Sequence, residues 1–364
     1  MFGLGADRGE RGWLTYYPFA VVNSHPTPTV CVVVNVGFDG PLRNLALRWG
    51  GALAPCLRVA TYQSLLVRRQ VPAATYVFSD FERVPPADVD GVLTLWDTLR
   101  ASSSAHLVND PRRVQLRFQL LRGLFEQGLN DFNVYRADEN LSAVRFPVFV
   151  RCEHDHGGPR TALLTTRRAL DDALDRLRAN RAWRSQLLVT ECSAEAGDDG
   201  LFRKYGALLV NGCVVPWHVI ASPTWLVKGA SRVMNDRTRE EQRQYIADNP
   251  HAERVRQAFA AAHIEYGRID YGVVDGRLRV FEINTNPAIG GAGRHRRKPG
   301  GRQKTDPAVN QLIEAFRALA DRCPAPGAWI PLTPRRGVLP SWAYQRLRHG
   351  QSLLTRYTHR SGIR

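Results

Sequence analysis

The sequence predicts an α+β protein whose N-terminal part is a smaller α/β unit. A nearly continuous apolar run, VCVVVNVGF from Val30, is followed by helix-patterned and strand-patterned segments in alternation as far as Asp110. Beyond it, strand-like runs follow one another through Asn211-Gly212 and Asp275-Gly276, dipeptides that tolerate positive φ and so signal hairpins. At 364 residues the chain is also longer than a single hydrophobic core usually becomes.

Residues 1–28 mix glycine, arginine and proline without periodicity and read as a loosely ordered lead-in. The run at Val30 has the character of a strand covered on both faces. PLRNLALRWGGAL spaces Leu42, Leu45 and Trp49 along one helical face before a Gly-Gly stop. ATYVFSD at 74–80 reads as a strand and ADVDGVLTLWDTL as a helix, closing a unit over 29–108.

VQLRFQLLRGLFEQGL is amphipathic, with Gly128 as its C-terminal stop. NDFNVYRADE connects it to the β-rich RFPVFVR. LTTRRALDDALDRLRANRAW aligns Leu170, Leu174 and Leu177 on one helical face. SQLLVTEC, RKYGALLV and CVVPWHVI read as strands, NPHAERVRQAFAAAHIEY as a helix, and RIDYGVV and LRVFEIN as a strand pair. A glycine-rich basic loop at 288–305 precedes a helix in DPAVNQLIEAFRALADR. Five prolines, from Pro324 to Pro340, then separate it from an arginine-rich tail, so 321–364 reads as a basic extension.

An apolar fraction of 44% without a run of about 18 apolar residues argues against a membrane span. The N-terminus lacks the pattern of a secretory signal, and the six cysteines include no CxxC pair, which together predict a cytoplasmic protein with reduced thiols. The formal charge of +16 fits an anionic partner without choosing among nucleotide, acidic peptide, nucleic acid and membrane surface. Lysine occurs only at Lys204, Lys228, Lys298 and Lys304, so arginine carries nearly all the positive charge.

The strand pair concentrates the chemistry. Alternation puts Glu282 and Asn284 on one face of VFEIN and Phe281 and Ile283 on the other, while Arg268 and Asp270 share a face of RID. Whether the carboxylates meet depends on register. A two-residue turn pairs Val274 with Arg277 and sets Asp270 against Phe281; a three-residue turn over Val274–Gly276 sets Asp270 on the face of Glu282. The joint site therefore predicts the three-residue turn. Two carboxylates and an amide are hard oxygen donors suited to Mg²⁺ with substrate phosphates. The alternative is a salt-bridged hairpin in which Arg268 neutralises a carboxylate.

RIDYGVVDGRLRVFEINTNP resembles the metal-binding end of ATP-grasp ligases, in which an R-x-D strand precedes an E-x-N strand. The resemblance implies an ATP-grasp fold over about 109–320, with a first lobe and lid at 109–192 and a metal-binding lobe at 193–320, preceded by a small Rossmann-like domain at 29–108. It implies that Asp270, Glu282 and Asn284 hold Mg²⁺ (Mn²⁺ as a substitute) on ATP, with Arg268 stabilising charge at the transferred phosphoryl group. Arg117, eleven residues before Gly128, and Arg151, closing FPVFVR, stand where relatives carry nucleotide-binding lysines. A planar guanidinium keeps the charge but not the geometry of an ammonium. Gly157 and Gly158 stand in the glycine-rich phosphate loop, Glu191 and Cys192 at the adenine hinge, and Lys204 near the ribose-binding position. The strings FSDFERV, NDFNVYR, FPVFVR, RKYGALLV and WLVKG further resemble a group of bacterial ATP-grasp domain proteins.

What this implies is a ligase that activates a carboxylate as an acyl phosphate for attack by an amine or other nucleophile, with an acidic small molecule or peptide among the candidate substrates. Lys228, Gly290, Gly291, Arg294 and His295 are the expected substrate contacts, against the alternatives of a surface lysine and a solvated basic loop. The HDH of His154–His156 reads as a solvated turn more readily than as a metal site. Two rival readings are a kinase or nucleotide-binding regulator on the same fold, and a polyanion-binding protein in which Trp342, Tyr344 and Tyr357 stack on nucleic-acid bases.

Overall fold

The computed structural model describes residues 27–40, 42, 53, 55–154, 157–180, 186–289, 307–335 and 337–338. The helix expected after Pro41 and the arginine-rich tail lie mainly outside them. The chain is α+β, and it divides into two compact units, one of residues 1–79, 84–108 and 316–364, the other of residues 80–83 and 109–315. The sequence boundaries at 108 and 320 thus stand beside a division in which the chain from Phe316 onward counts with the first unit.

The first unit carries a parallel sheet of β1 (Val30–Val34), β2 (Leu57–Thr61), β4 (Thr75–Phe78) and β5 (His106–Val108), in the order β2-β1-β4-β5. All five residues of β1 are buried, as a parallel strand covered on both faces requires. Helices α1 (Tyr62–Leu66) and α2 (Val89–Ala101) belong to it, and Leu95, Trp96 and Leu99 form the buried stripe of α2. The sequence reading named neither β2 nor β5 as a strand, and it missed two further short strands as well. Here β3 (Gln70–Pro72) pairs antiparallel with a strand from the C-terminal part, Trp329–Pro331.

The second unit holds two antiparallel sheets. One comprises β6 (Val134–Arg136), β7 (Val148–Cys152) and β8 (Leu187–Glu191), with β8 central. Leu170 and Leu174 of an amphipathic helix, Arg167–Arg178, pack on its Val148, Val150 and Val189, as their spacing predicts. The other comprises β9 (Phe202–Val210), β10 (Cys213–Ser222), β11 (Gly267–Val274) and β12 (Arg277–Asn284), in the order β10-β9-β11-β12. Helix α3 (Arg117–Glu126) and a second helix, Ala252–Ala261, cover its back. There Leu120, Leu124, Val255 and Phe259 meet Ala207, Ile269, Tyr271 and Val280 in one apolar cluster.

Gly128, at φ +69°, ends α3 as expected. A helix over Asp236–Asp248 was missed, because its only buried residues are Thr238 and Tyr245 and its sequence shows almost no apolar period. Its start is nonetheless written locally. Asn235 accepts the Thr238 N–H while the Thr238 hydroxyl accepts the Asn235 N–H, a reciprocal cap.

Candidate active site

The β11–β12 turn contains two residues, not three. Val274 pairs with Arg277, and Asp275 and Gly276 both take positive φ, at +48° and +69°. That register alone would set Asp270 opposite Phe281. Instead, Tyr271 pairs with Val280 and Asp270 with Glu282, leaving Phe281 as an extra residue in β12. The expected turn is therefore wrong, yet the carboxylates share a face. Phe281 is corrected too. A Cβ added at Gly272 would come within 3.0 Å of the Phe281 ring, so this side chain lies on the Asp270 face, against Phe132 at a centroid distance of 6.4 Å.

A matching irregularity occurs in β10, where Pro216 pairs with Ala207 and His218 with Gly206, leaving Trp217 over. Gly206 also pairs with Asp270. The front of the sheet therefore carries one transverse row, His218, Gly206, Asp270 and Glu282, across all four strands. The His218 ring occupies the space a side chain at 206 would need, since a Cβ there would lie 2.5 Å from its Cε1.

Positive side chains converge on both carboxylates. The Lys204 ammonium donates to Asp270 Oδ2 at 2.9 Å, and Arg268 Nε donates to Oδ1 at 2.9 Å. Arg117, the first residue of α3, donates to Glu282 Oε2 at 2.7 Å, and Arg151 of β7 does so at 3.5 Å. Arg117 also donates to the main-chain carbonyls of Cys152 and Glu153. Asp270 is nearly inaccessible, at 4% side-chain exposure, while Glu282 keeps 22%. Burial by itself would raise the Asp270 carboxyl, but Arg268, Lys204 and His218 together hold it below the ordinary carboxylate range. Glu282 is likewise pushed up by burial and by Asp270, and held low by Arg117 and Arg151. Burial lowers His218 to about 4, against the pull of Asp270, which keeps the imidazole neutral at physiological pH.

Asn284 lies two paired rows beyond Glu282, opposite Arg268, and its Oδ1 accepts the Asn286 N–H at 2.8 Å. Lys228 is engaged with the glycine loop, donating to the Gly157 carbonyl at 3.2 Å. Gly158 has φ +98°, and a Cβ there would lie 2.8 Å from the Lys228 ammonium. The Glu191 carboxylate is a packing hub. It accepts the Asn133 and Arg145 N–H groups at 2.9 Å each and the Arg145 guanidinium at 2.6 Å. The Cys192 N–H is given to the Pro147 carbonyl at 2.8 Å. Gly290, Gly291, Arg294 and His295 lie outside the described residues, as do Asp155 and His156.

Sequence reasoning missed Arg279. It is buried, pairs with Asp131 at 2.7 Å and Glu195 at 2.8 Å, and donates to the Ser193 carbonyl. It also missed His218, although a glycine inside the strand RKYGALLV signals that another group comes close.

No family model matches the chain, and no curated protein does. Solved structures do resemble it. Ligases are among them. D-alanine–D-alanine ligase from Bacillus anthracis, complexed with ATP, is 12% identical, with 81% of this chain and 98% of that one covered at a TM-score of 0.45. The Coxiella burnetii D-alanine–D-alanine ligase is 14% identical, with 91% and 99% covered at 0.45. The ATP-grasp ligase PsnB, complexed with a minimal precursor, is 15% identical, with 80% and 99% covered at 0.45. At these values the likeness assigns no substrate and no residue role to this chain.

Among the described residues no group of three or more His, Cys, Asp or Glu side chains could hold a metal. What the sheet offers is Asp270 and Glu282 in register, with the Asn284 amide beyond. Directly opposed side chains have Cβ atoms about 4.5–5.5 Å apart, close enough for both carboxylates to serve one site. All are oxygen donors, and so few of them suits a hard ion completed by water and phosphate rather than a closed protein cage.

Proposed function

We propose that the chain is a Mg-ATP-dependent ligase that joins a carboxylate to an amine or comparable nucleophile through an acyl phosphate. The observation that carries this reading is the opposed pair Asp270 and Glu282 on one face of the sheet, with Arg117, Arg151, Lys204 and Arg268 directed at it. Asp270, Glu282 and Asn284 would hold the divalent ion, which when bound offsets phosphate charge. Arg117, Arg151 and Lys204 supply charge and N–H donors for the phosphate oxygens, and Arg268 for the oxygens that gain charge as the phosphoryl group moves. Gly157 and Gly158 allow main chain to approach the phosphates.

Activation is needed because a free carboxylate has no good leaving group. In the first step a substrate carboxylate oxygen bonds to the γ-phosphorus while the bond to the bridging oxygen breaks, releasing ADP. In the second, the nucleophile bonds to the acyl carbon and inorganic phosphate leaves with the former carboxylate oxygen. Positioning and fixed charge supply the catalysis in both. With the Glu191 carboxylate and the Cys192 N–H already engaged, base recognition falls to other main-chain groups of the hinge. Lys228 and the loop around Gly290, Gly291, Arg294 and His295 remain the proposed substrate side.

A cytoplasmic setting belongs to the same proposal, supported by six unpaired thiols; among the described residues no helix is long and apolar enough to cross a membrane. The proposal is tested by thermal melts with Mg²⁺ and ATP. Wild type is stabilised, whereas Glu282→Ala, folded but missing one carboxylate, shifts little; equal shifts would sink the assignment. ADP release that depends on both a carboxylate and an amine then marks the ligase, while a stable phosphorylated product marks a kinase.

A further inference from the structure

Four positive side chains and two negative ones meet at the front of the four-stranded sheet. Arg117 and Arg151 contact Glu282, and Lys204 and Arg268 contact Asp270, so these six described groups carry a formal excess of two positive charges. Each carboxylate already has its opposite charges at hydrogen-bonding distance. Both are largely buried, which strengthens these pairs relative to exposed ones.

A divalent cation arriving alone meets the wrong field. Glu282 Oε2 and both Asp270 oxygens are already engaged, by the Arg117 N–H at 2.7 Å and by Lys204 and Arg268 at 2.9 Å each, so an ion held through them displaces these cations, and an ion on Glu282 Oε1 lies beside Arg117 and Arg151. The displaced cations would then remain beside it. A polyanion meets the reverse situation, with excess positive charge and N–H donors that can exchange a carboxylate for a phosphate oxygen. Lys204 can exchange Asp270 for phosphate without moving the sheet, and Arg117 can keep the Cys152 and Glu153 carbonyls on Nη1 while Nη2 turns from Glu282 to phosphate.

We infer that the site takes a polyphosphate before it takes a divalent cation, the anion drawing Arg117 and Lys204 away and so releasing Glu282 and Asp270 for the ion. This rests on the nucleotide reading above and adds to it an order of binding and its cause. Arg117 and Lys204 then exchange carboxylate for phosphate as the polyphosphate binds. Because the two ligands share these groups, each strengthens the other by the same factor.

Calorimetric titration of the full chain tests this with three probes: MgCl₂ alone, ATP in excess EDTA, and ATP with MgCl₂. Expected are no saturation by Mg²⁺ alone below about 10 mM, saturable binding of metal-free ATP that is weaker than that of Mg-ATP, and Mg²⁺ affinity raised at least about tenfold by ATP. Saturation by Mg²⁺ alone at submillimolar concentration, unchanged by ATP, overturns the inference and leaves the proposed function standing. So does ATP that binds only with Mg²⁺. ATP that binds under neither condition overturns both.

Arg117→Gln supplies the sign test. Metal-free ATP binding should fall at least about tenfold while binding of Mg²⁺ alone strengthens, because a competitor for Glu282 has gone; a merely structural arginine would weaken both. Arg117→Lys should restore metal-free ATP binding. If Arg117→Gln fails to fold, Lys204→Gln makes the same opposed prediction through Asp270, and weakening of both ligands there overturns the inference.

Discussion

Asp270 and Glu282 are directly opposed on neighbouring strands although the two-residue turn that joins those strands would place them on opposite faces. The extra residue Phe281 reconciles the two facts. Its ring lies over Gly272, where no side chain competes for the space.

Removing Phe281 should therefore spare the site. Without the extra residue the ladder is regular from Val274 to Asp270, and the glutamate still falls opposite Asp270. The deletion should cost about 2 kcal/mol for the lost half-buried ring, and the folded protein should keep its thermal shift with Mg-ATP. A folded deletion variant with no shift would show that Phe281 does more than set register.

Gly206→Ala should be destabilising by about 1–3 kcal/mol, because its Cβ would overlap the His218 ring. His218→Ala in the same chain should recover most of that loss, a strong non-additivity readable in denaturant melts. Additive losses would contradict the packing of the ring on this glycine.

His218 should also give stability an acid limb. Its folded value, about 4, lies below the ordinary 6.5, so the unfolded chain binds the proton first. The contribution is complete above pH 6.5 and is lost as pH falls toward 4. In His218→Gln the dependence over that interval should be shallower, by at most about 1.4 kcal/mol per pH unit. Asp270 and Glu282, both held low in the fold, contribute stability that is lost as pH falls from the ordinary carboxylate range through their folded values.

Glu191→Gln should lower stability by about 2 kcal/mol, since the buried carboxylate gathers two main-chain N–H groups and the Arg145 guanidinium, and an amide has one acceptor oxygen. Nucleotide affinity of the folded protein should change little, because the side chain is committed to packing. A large loss of affinity at unchanged stability would instead give Glu191 a direct part in binding.

The fold was legible where pattern and packing agree. The run at Val30, the leucine stripe from Leu170 and the Asn211-Gly212 hairpin each follow from a local rule, and the structure places them accordingly. The Asp236–Asp248 helix was illegible because a helix with only Thr238 and Tyr245 buried has no apolar period to read. In the site, Arg268, Asp270 and Glu282 were chosen by residue type and spacing and Arg117 and Arg151 by the resemblance, and these side chains do meet. The pair of Arg268 with Asp270 is the salt bridge weighed as the alternative, whereas the pairing of Arg117 and Arg151 with Glu282 was not legible, nor was the bulge. Register depends on what each face can accommodate, here the gap at Gly272, which lies nine residues from Phe281 along the chain. Arg279 escaped because its partners Asp131 and Glu195 are far away in sequence.

The bulges at Trp217 and Phe281 lie on β10 and β12, the outer strands of their sheet. An outer strand normally offers its unused N–H and C=O groups as a template on which another chain can extend the sheet, and a bulge spoils the regular spacing such pairing needs. On β12 the regular stretch ends at Val280 and on β10 at Pro216, a residue with no N–H to donate. The irregularities that aim His218 and Glu282 thus also interrupt both outer strands of the sheet, where Asn130 at Val280 and Asn249 at Val214 already occupy main-chain groups that a further strand would need.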